Sequence, residues 1–278
     1  MNIAATIAAE IGAQETQVST ALRLLAEGNT VPFIARYRKE VTGGLDDAQL
    51  RTIEERATYL RELEERKETV LAAIDEQGKL SDDLRGQILA CDTKARLEDL
   101  YLPYKKRRKT KADIAREAGL EELTDTLIAQ PQAQPEELAQ DHLTEGFPDT
   151  KKALEGARSI LIDRFALDAD LVGGVRERMF NQGAMQSQVV EGKEAEGAKF
   201  KDYFDFNEPF SSLPSHRILA LLRGENEGVL QLHLDAGDDA DYEDLIADRF
   251  GLDRSSAWLD NAVHWDGAPN CMFPPAGM

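Results

Sequence analysis

The chain has 278 residues, 33 of them Lys or Arg and 52 Asp or Glu, for a formal net charge of −19 at neutral pH. No apolar run approaches the ~18 residues a membrane span requires, and nothing at the N-terminus reads as a signal peptide. Two cysteines (Cys91, Cys271) are too few for a disulfide framework and fit a reducing cytoplasm, and the four scattered histidines lack metal-ligand spacing, so neither metal nor cofactor is expected.

The charge is unevenly placed. From 94 to 111, eight bases stand against Glu98 and Asp99, a local balance of +6; from 202 to the end, four bases stand against fifteen acids. A bound phosphate responds to charge within a Debye length of about 8 Å, so the local patch outweighs the chain total.

Helical periodicity dominates. Ile3, Ile7 and Ile11 predict a first helix, and Val18, Ala21, Leu22 and Leu25 a second, with Gly12-Ala13-Gln14 between them in a helix-turn-helix outline. An aromatic-basic segment follows Pro32 and closes at Gly43-Gly44. Asp46 or Asp47 then caps a long helix to about Gln77, with Leu50, Ile53, Ala57, Leu60, Leu63, Val70 and Ile74 on one stripe. Ser81 caps a helix through Ala90, and 96–102 adds a turn or two before Pro103. After a basic loop, 112–130 reads as two helices broken at Gly119.

Pro131, Pro135 and Pro148 bracket a shorter helical pair around Leu138 and Leu143. Asp149 or Thr150 opens one long helix, Asp168 caps the next, and 181–183 closes the all-helical part. In the last third, 185–190 reads as a short strand and 192–201 as a polar, mobile stretch. Ser215 caps a helix that Gly224 ends. The alternation over 229–234 predicts a strand that needs a partner, 242–250 a last helix, and the residues beyond Trp265 no regular element. The expected fold is mainly α: an elongated multi-helix array with a helix-turn-helix-like portion and a minor β element near 185–234. Its expected divisions are a helical domain at 1–130, a second helical region with the β element at 131–260, and an irregular tail at 261–278.

No phosphate-loop or nucleophile-elbow pattern occurs, and Ser211-Ser212 with His216 lacks an evident acid partner, so an enzyme reading has nothing specific behind it. The loop offers more. Tyr101 and Tyr104 are interleaved with Lys105, Lys106, Arg107, Arg108, Lys109 and Lys111, the composition that engages phosphates and stacks on bases. The alternative is a solvated charge run paired with this chain's own acids. Arg36, Arg38 and Lys39 are further candidates, while Phe33, Ile34 and Tyr37 beside them read equally well as core.

Three stretches carry a family resemblance. Thr30-Val31-Pro32-Phe33-Ile34-Ala35-Arg36-Tyr37-Arg38-Lys39-Glu40-Val41-Thr42-Gly43-Gly44-Leu45 resembles the signature of the bacterial transcription accessory protein family Tex. Leu97-Glu98-Asp99-Leu100-Tyr101-Leu102-Pro103-Tyr104-Lys105 and Pro214-Ser215-His216-Arg217-Ile218-Leu219-Ala220 are similar to the same family. The match runs from the first helix to about Trp258. The resemblance implies a non-catalytic, nucleic-acid-binding factor acting around transcription and related to a eukaryotic elongation factor. It also implies later ribonuclease H-like, helix-hairpin-helix and oligonucleotide-binding domains, none of which follows here, so a truncated or frame-shifted product is expected. The reading is an N-terminal module that engages RNA or DNA through its basic loop, weakly on its own. The alternative is a scaffold that docks to the transcription machinery without touching nucleic acid.

Overall fold

The computed structural model describes residues 2–264; of the tail predicted over 261–278, residues 265–278 lie outside them, while 261–263 belong to a helix, Ala257–Val263, that follows the one predicted as last. The chain divides between Tyr104 and Lys105 into two compact units.

In the first unit, local capping rules set most boundaries. Asn2 accepts the Ala5 N–H at 3.2 Å to open α1 (Ile3–Ile11), and Gly12, at φ +66°, closes it. After three linking residues comes α2 (Glu15–Ala26), then α3 (Val31–Tyr37). Asp46 and Gln49 cap α4 (Asp47–Asp75) reciprocally, each side chain accepting the other's backbone N–H, at 2.7 and 3.1 Å. Ser81 caps α5 (Asp82–Ala90), Thr93 caps α6 (Lys94–Tyr101), and Leu102–Tyr104 tightens into a 3-10 turn at Pro103.

The predicted stripe of α4 is buried throughout, with α1, α2, α3, α5 and α6 packed on it. It also contains Lys67, which periodicity passes over because its ammonium is charged. Lys67 is 2% exposed, and its Nζ donates to Glu64 Oε1 at 2.8 Å and to the Leu89 carbonyl at 3.0 Å near the end of α5. The buried charge is thereby paired and ties α5 to α4.

The second unit builds on α10 (Thr150–Leu167), opened by Asp149. Against it pack α7 (Lys111–Glu117), α8 (Leu120–Ala129) and α9 (Pro135–Gln140), with Ala115, Leu120, Leu123, Ala153, Ala157 and Ile160 in one core. Residues 105–130 therefore share their core with α10, whereas a boundary at 130 assigns them to the first region. Asp168 caps α11 (Ala169–Gln182), and a second core joins it to α13 (Asp239–Phe250) and α14 (Ala257–Val263). Phe165 and Phe250 meet there with ring centroids 4.8 Å apart.

Three strands, β1 (Ala184–Val189), β2 (Asp205–Pro209) and β3 (Leu230–Asp235), form an antiparallel sheet in the order β2-β1-β3. Ser187 at its centre faces Phe206 on one side and Leu232 on the other. The strand predicted to need a partner thus finds β1. Helix α12 (Ser215–Asn226) packs on β3, closing a third core around Phe200, Phe206, Leu221 and Leu230.

Several expectations are corrected. Leu143 is not helical: it precedes a tight turn bridged between Thr144 and Phe147. The stretch 192–201 is not polar throughout its contacts: it runs into a 3-10 turn, Ala198–Tyr203, that buries Phe200 in the sheet core. Pro214, not Ser215, is the cap of α12. Gly224 lies inside that helix rather than ending it, and packing explains the glycine. A Cβ there meets Leu230 Cδ1 at 2.4 Å and Cγ at 2.7 Å.

Gly224→Ala is therefore expected to lower stability by about 1–2 kcal/mol, the overpacking cost outweighing the gain in helix propensity. Gly86→Ala, in the interior of α5 where a Cβ meets nothing within 4 Å, is expected to raise it by about 0.5–1 kcal/mol. Urea unfolding followed by circular dichroism should show midpoints shifted in opposite directions.

Candidate nucleic-acid interface

In the second unit, the basic loop leads from Lys105 to the capping box of α7. Thr110 Oγ1 accepts the Asp113 N–H at 3.2 Å, and Asp113 Oδ2 accepts the Thr110 N–H at 2.9 Å. Between these points the loop is clamped to α10 by Arg107. Its guanidinium spans both carboxylate oxygens of Asp163 on α10, at 2.7 and 3.0 Å, in the bidentate geometry arginine favours. Arg116 reaches the same carboxylate at 2.8 Å, and Asp113 Oδ1 lies 3.4 Å from Arg107 and 3.3 Å from Arg116.

Asp163 is 9% exposed. Its burial pushes the carboxyl up, but hydrogen bonds from Arg107 and Arg116 outweigh that and hold it below the ordinary aspartate range. Lys109 pairs with Glu117, and Lys105 is half-buried. Lys106, Arg108 and Lys111 are exposed and form no ion pair among the described residues. The six loop bases thus divide: Arg107 fixes the loop, Lys109 is paired, Lys105 is half-buried with a contact of its own, and Lys106, Arg108 and Lys111 stand free toward solvent.

The first unit presents a different surface on α3. Val31 and Ile34 face inward at 4% and 0% exposure, whereas Phe33 and Tyr37, four residues apart, face outward at 38% and 68%. Of the three residues that read as core, only Ile34 is. The Phe33 and Tyr37 rings lie 5.2 Å apart, and the Arg38 guanidinium sits 5.9 Å from the Phe33 centroid. Arg36, Arg38 and Lys39 are exposed without an ion pair among the described residues. Gln17 on α2 donates to the Gly43 carbonyl at 2.8 Å and pins the following turn.

The acidic stretch is partly neutralised within its own unit. Arg254 donates to Glu243, Asp244 and Asp260 at 2.6–2.8 Å, and Arg178 pairs with Asp241 at 2.6 Å. Among the described residues, no group of three or more His, Cys, Asp or Glu is arranged to hold a metal, and no helix is long and apolar enough to cross a membrane.

Residues 1–75 match the family described as the Tex-like protein N-terminal domain, and residues 130–270 match the Tex central region-like family. The chain belongs to the Tex-like family. It is 54% identical over 270 residues to the transcriptional accessory protein Tex of Neisseria gonorrhoeae, covering 95% of this chain and 36% of that protein. It is 54% identical to protein YhgF of Escherichia coli over 93% of this chain and 35% of that one. The S1 RNA-binding domain-containing protein 1 of Homo sapiens is 32% identical over 78% of this chain and 22% of its own length. The chain therefore spans about a third of the bacterial Tex-like relatives. Arg36, Arg38 and Lys39 fall inside the Tex-like N-terminal match, whereas the loop 105–111 falls between the two matched segments.

Proposed function

We propose that this chain is the N-terminal, non-catalytic helical module of a cytoplasmic transcription accessory protein. It contributes to nucleic-acid binding by neutralising phosphates from the loop 105–111. Arg36, Arg38 and Lys39 offer a second set of cations in the first unit, with Phe33 and Tyr37 beside them as stacking surfaces. The α1–α2 pair, a helix-turn-helix-like element, belongs to the same unit.

One observation carries this reading. The loop is anchored to Asp163 through Arg107, leaving Lys106, Arg108 and Lys111 exposed and without carboxylate partners among the described residues. Such contacts engage the backbone and do not read sequence. The names of two relatives, a transcriptional accessory protein and an S1 RNA-binding domain-containing protein, support the same direction.

Fluorescence anisotropy of labelled single-stranded RNA and duplex DNA, titrated with the chain at about 50 and 200 mM salt, tests the proposal. Binding at the lower salt that weakens steeply at the higher one is expected. Absence of binding at low salt overturns it and favours the second reading, a scaffold whose exposed Asp238, Asp239 and Asp248 dock a basic partner in the transcription machinery.

A further inference from the structure

Beside the loop, within the second unit, α7 and α10 enclose a groove of about 480 Å³. Its floor is apolar, formed by Ile114 of α7, Ile162 of α10 and the ring of Phe147 from the Thr144–Phe147 turn. Phe147 lies directly on the α10 backbone: a Cβ on Gly156 sits 2.9 Å from Phe147 Cε1 and 2.5 Å from Leu120 Cδ1. The glycine thus lets the ring pack directly against α10.

The rim is basic. Lys111, Lys152 and Arg158 stand around it against a single carboxylate, Glu155. Lys111 and Arg158 form no ion pair among the described residues, and the one pairing of Lys152, with Asp149, is a loose 3.9 Å. A smaller depression of about 200 Å³ lies along α10, sharing Glu155 and Arg158 and adding Glu136, Lys151 and Trp258, so its charges balance and the cationic excess is confined to the larger groove. In a chain with 52 acids, three cations against one lining carboxylate are a local inversion of the overall charge. Such a rim attracts anions, because low-dielectric walls focus its field.

We propose that this groove binds a single-stranded nucleic acid, with Lys152 and Arg158 on phosphates and unstacked bases against Ile114 and Phe147. The proposal rests on the loop reading, since Lys111 belongs to both surfaces and joins them into one track. The apolar floor decides for a single strand. A duplex presents phosphates to such a rim but keeps its base faces stacked, whereas a single strand offers both.

The test compares Lys152→Ser/Arg158→Ser with Lys106→Ser/Arg108→Ser, both in the full chain with Lys111 intact. The probes are an oligouridylate and an oligothymidylate of about 20 nucleotides, with a duplex of the same length as reference. Removing two phosphate contacts is expected to flatten the slope of log affinity against log salt by about 1.4 for single strands. The groove variant should weaken single-strand binding about fivefold or more at low salt and duplex binding less. In the unmutated chain, the Ile114 δ1-methyl resonance should shift on titration with oligouridylate. Thermal unfolding should change little, because Lys152 is exposed and Arg158, though half-buried, forms no ion pair among the described residues.

If the groove variant keeps the affinity and slope of the unmutated chain while the loop variant loses them, the groove proposal is overturned and the loop reading stands. The reverse pattern upholds the groove and removes the loop. Equal loss of single-strand and duplex binding in the groove variant overturns the single-strand assignment.

Discussion

Asp163→Ala is expected to destabilise the second unit by about 2–3 kcal/mol and to release the basic loop. The substitution removes one buried carboxylate and leaves the two guanidiniums that it now holds at 2.7–3.0 Å with only longer carboxylate contacts, chiefly to Asp113. Breaking a fully buried pair costs about 3–5 kcal/mol. Here Arg107 and Arg116 keep 35% and 26% of their side-chain surface exposed and regain water, which sets the lower figure. The acid limb of the stability profile should change as well. Because the Asp163 pKa is lowered on folding, the native state binds fewer protons than the unfolded chain near and below pH ~4. Its contribution is present in full above the unfolded pKa and is lost as pH falls through the folded one. The unmutated chain should therefore lose stability from about pH 5 downward more steeply than Asp163→Ala does. Urea unfolding at a series of pH values reads both effects, and parallel acid limbs count against the account.

Lys106→Ser/Arg108→Ser is expected to flatten the salt slope for single-stranded RNA by about 1.4 and to reduce low-salt affinity about fivefold or more. These side chains are exposed and make no ion pair among the described residues, so their removal should leave stability within about 0.5 kcal/mol. Arg107→Ser should do the opposite, lowering stability through the loss of the Asp163 clamp. Affinity falling without a change in slope would mean that the loop acts by shape and not by charge.

Much of this architecture was open to inspection before any tertiary structure was known. Asp46, Ser81, Asp149 and Asp168 each accept a backbone N–H at the start of a helix. A capping side chain acts on residues two or three positions away, so its signal is contained in a short stretch of sequence. The stripe of α4 was legible because apolar periodicity survives over a long helix. The position of the basic loop followed from Pro103 and the run of charge. By contrast β2 was missed, since Asp205-Phe206-Asn207-Glu208-Pro209 has too little alternation to announce a strand without its neighbour β1.

The sequence alone determined that this chain is mainly helical, where most of its helices begin, and that a cationic loop interrupts an acidic protein. It also carried the motifs of the Tex-like family. Only the tertiary structure decided what the charges do. Arg107 and Asp163 are 56 residues apart, yet their contact separates an anchoring arginine from the free cations around it. Lys111 and Arg158 share a groove for the same reason: α7 packs across α10. Lys67 is buried because a carbonyl at the end of α5 reaches its ammonium. Capping and periodicity are properties of neighbouring residues, whereas ion pairing and convergence depend on the path of the chain in space.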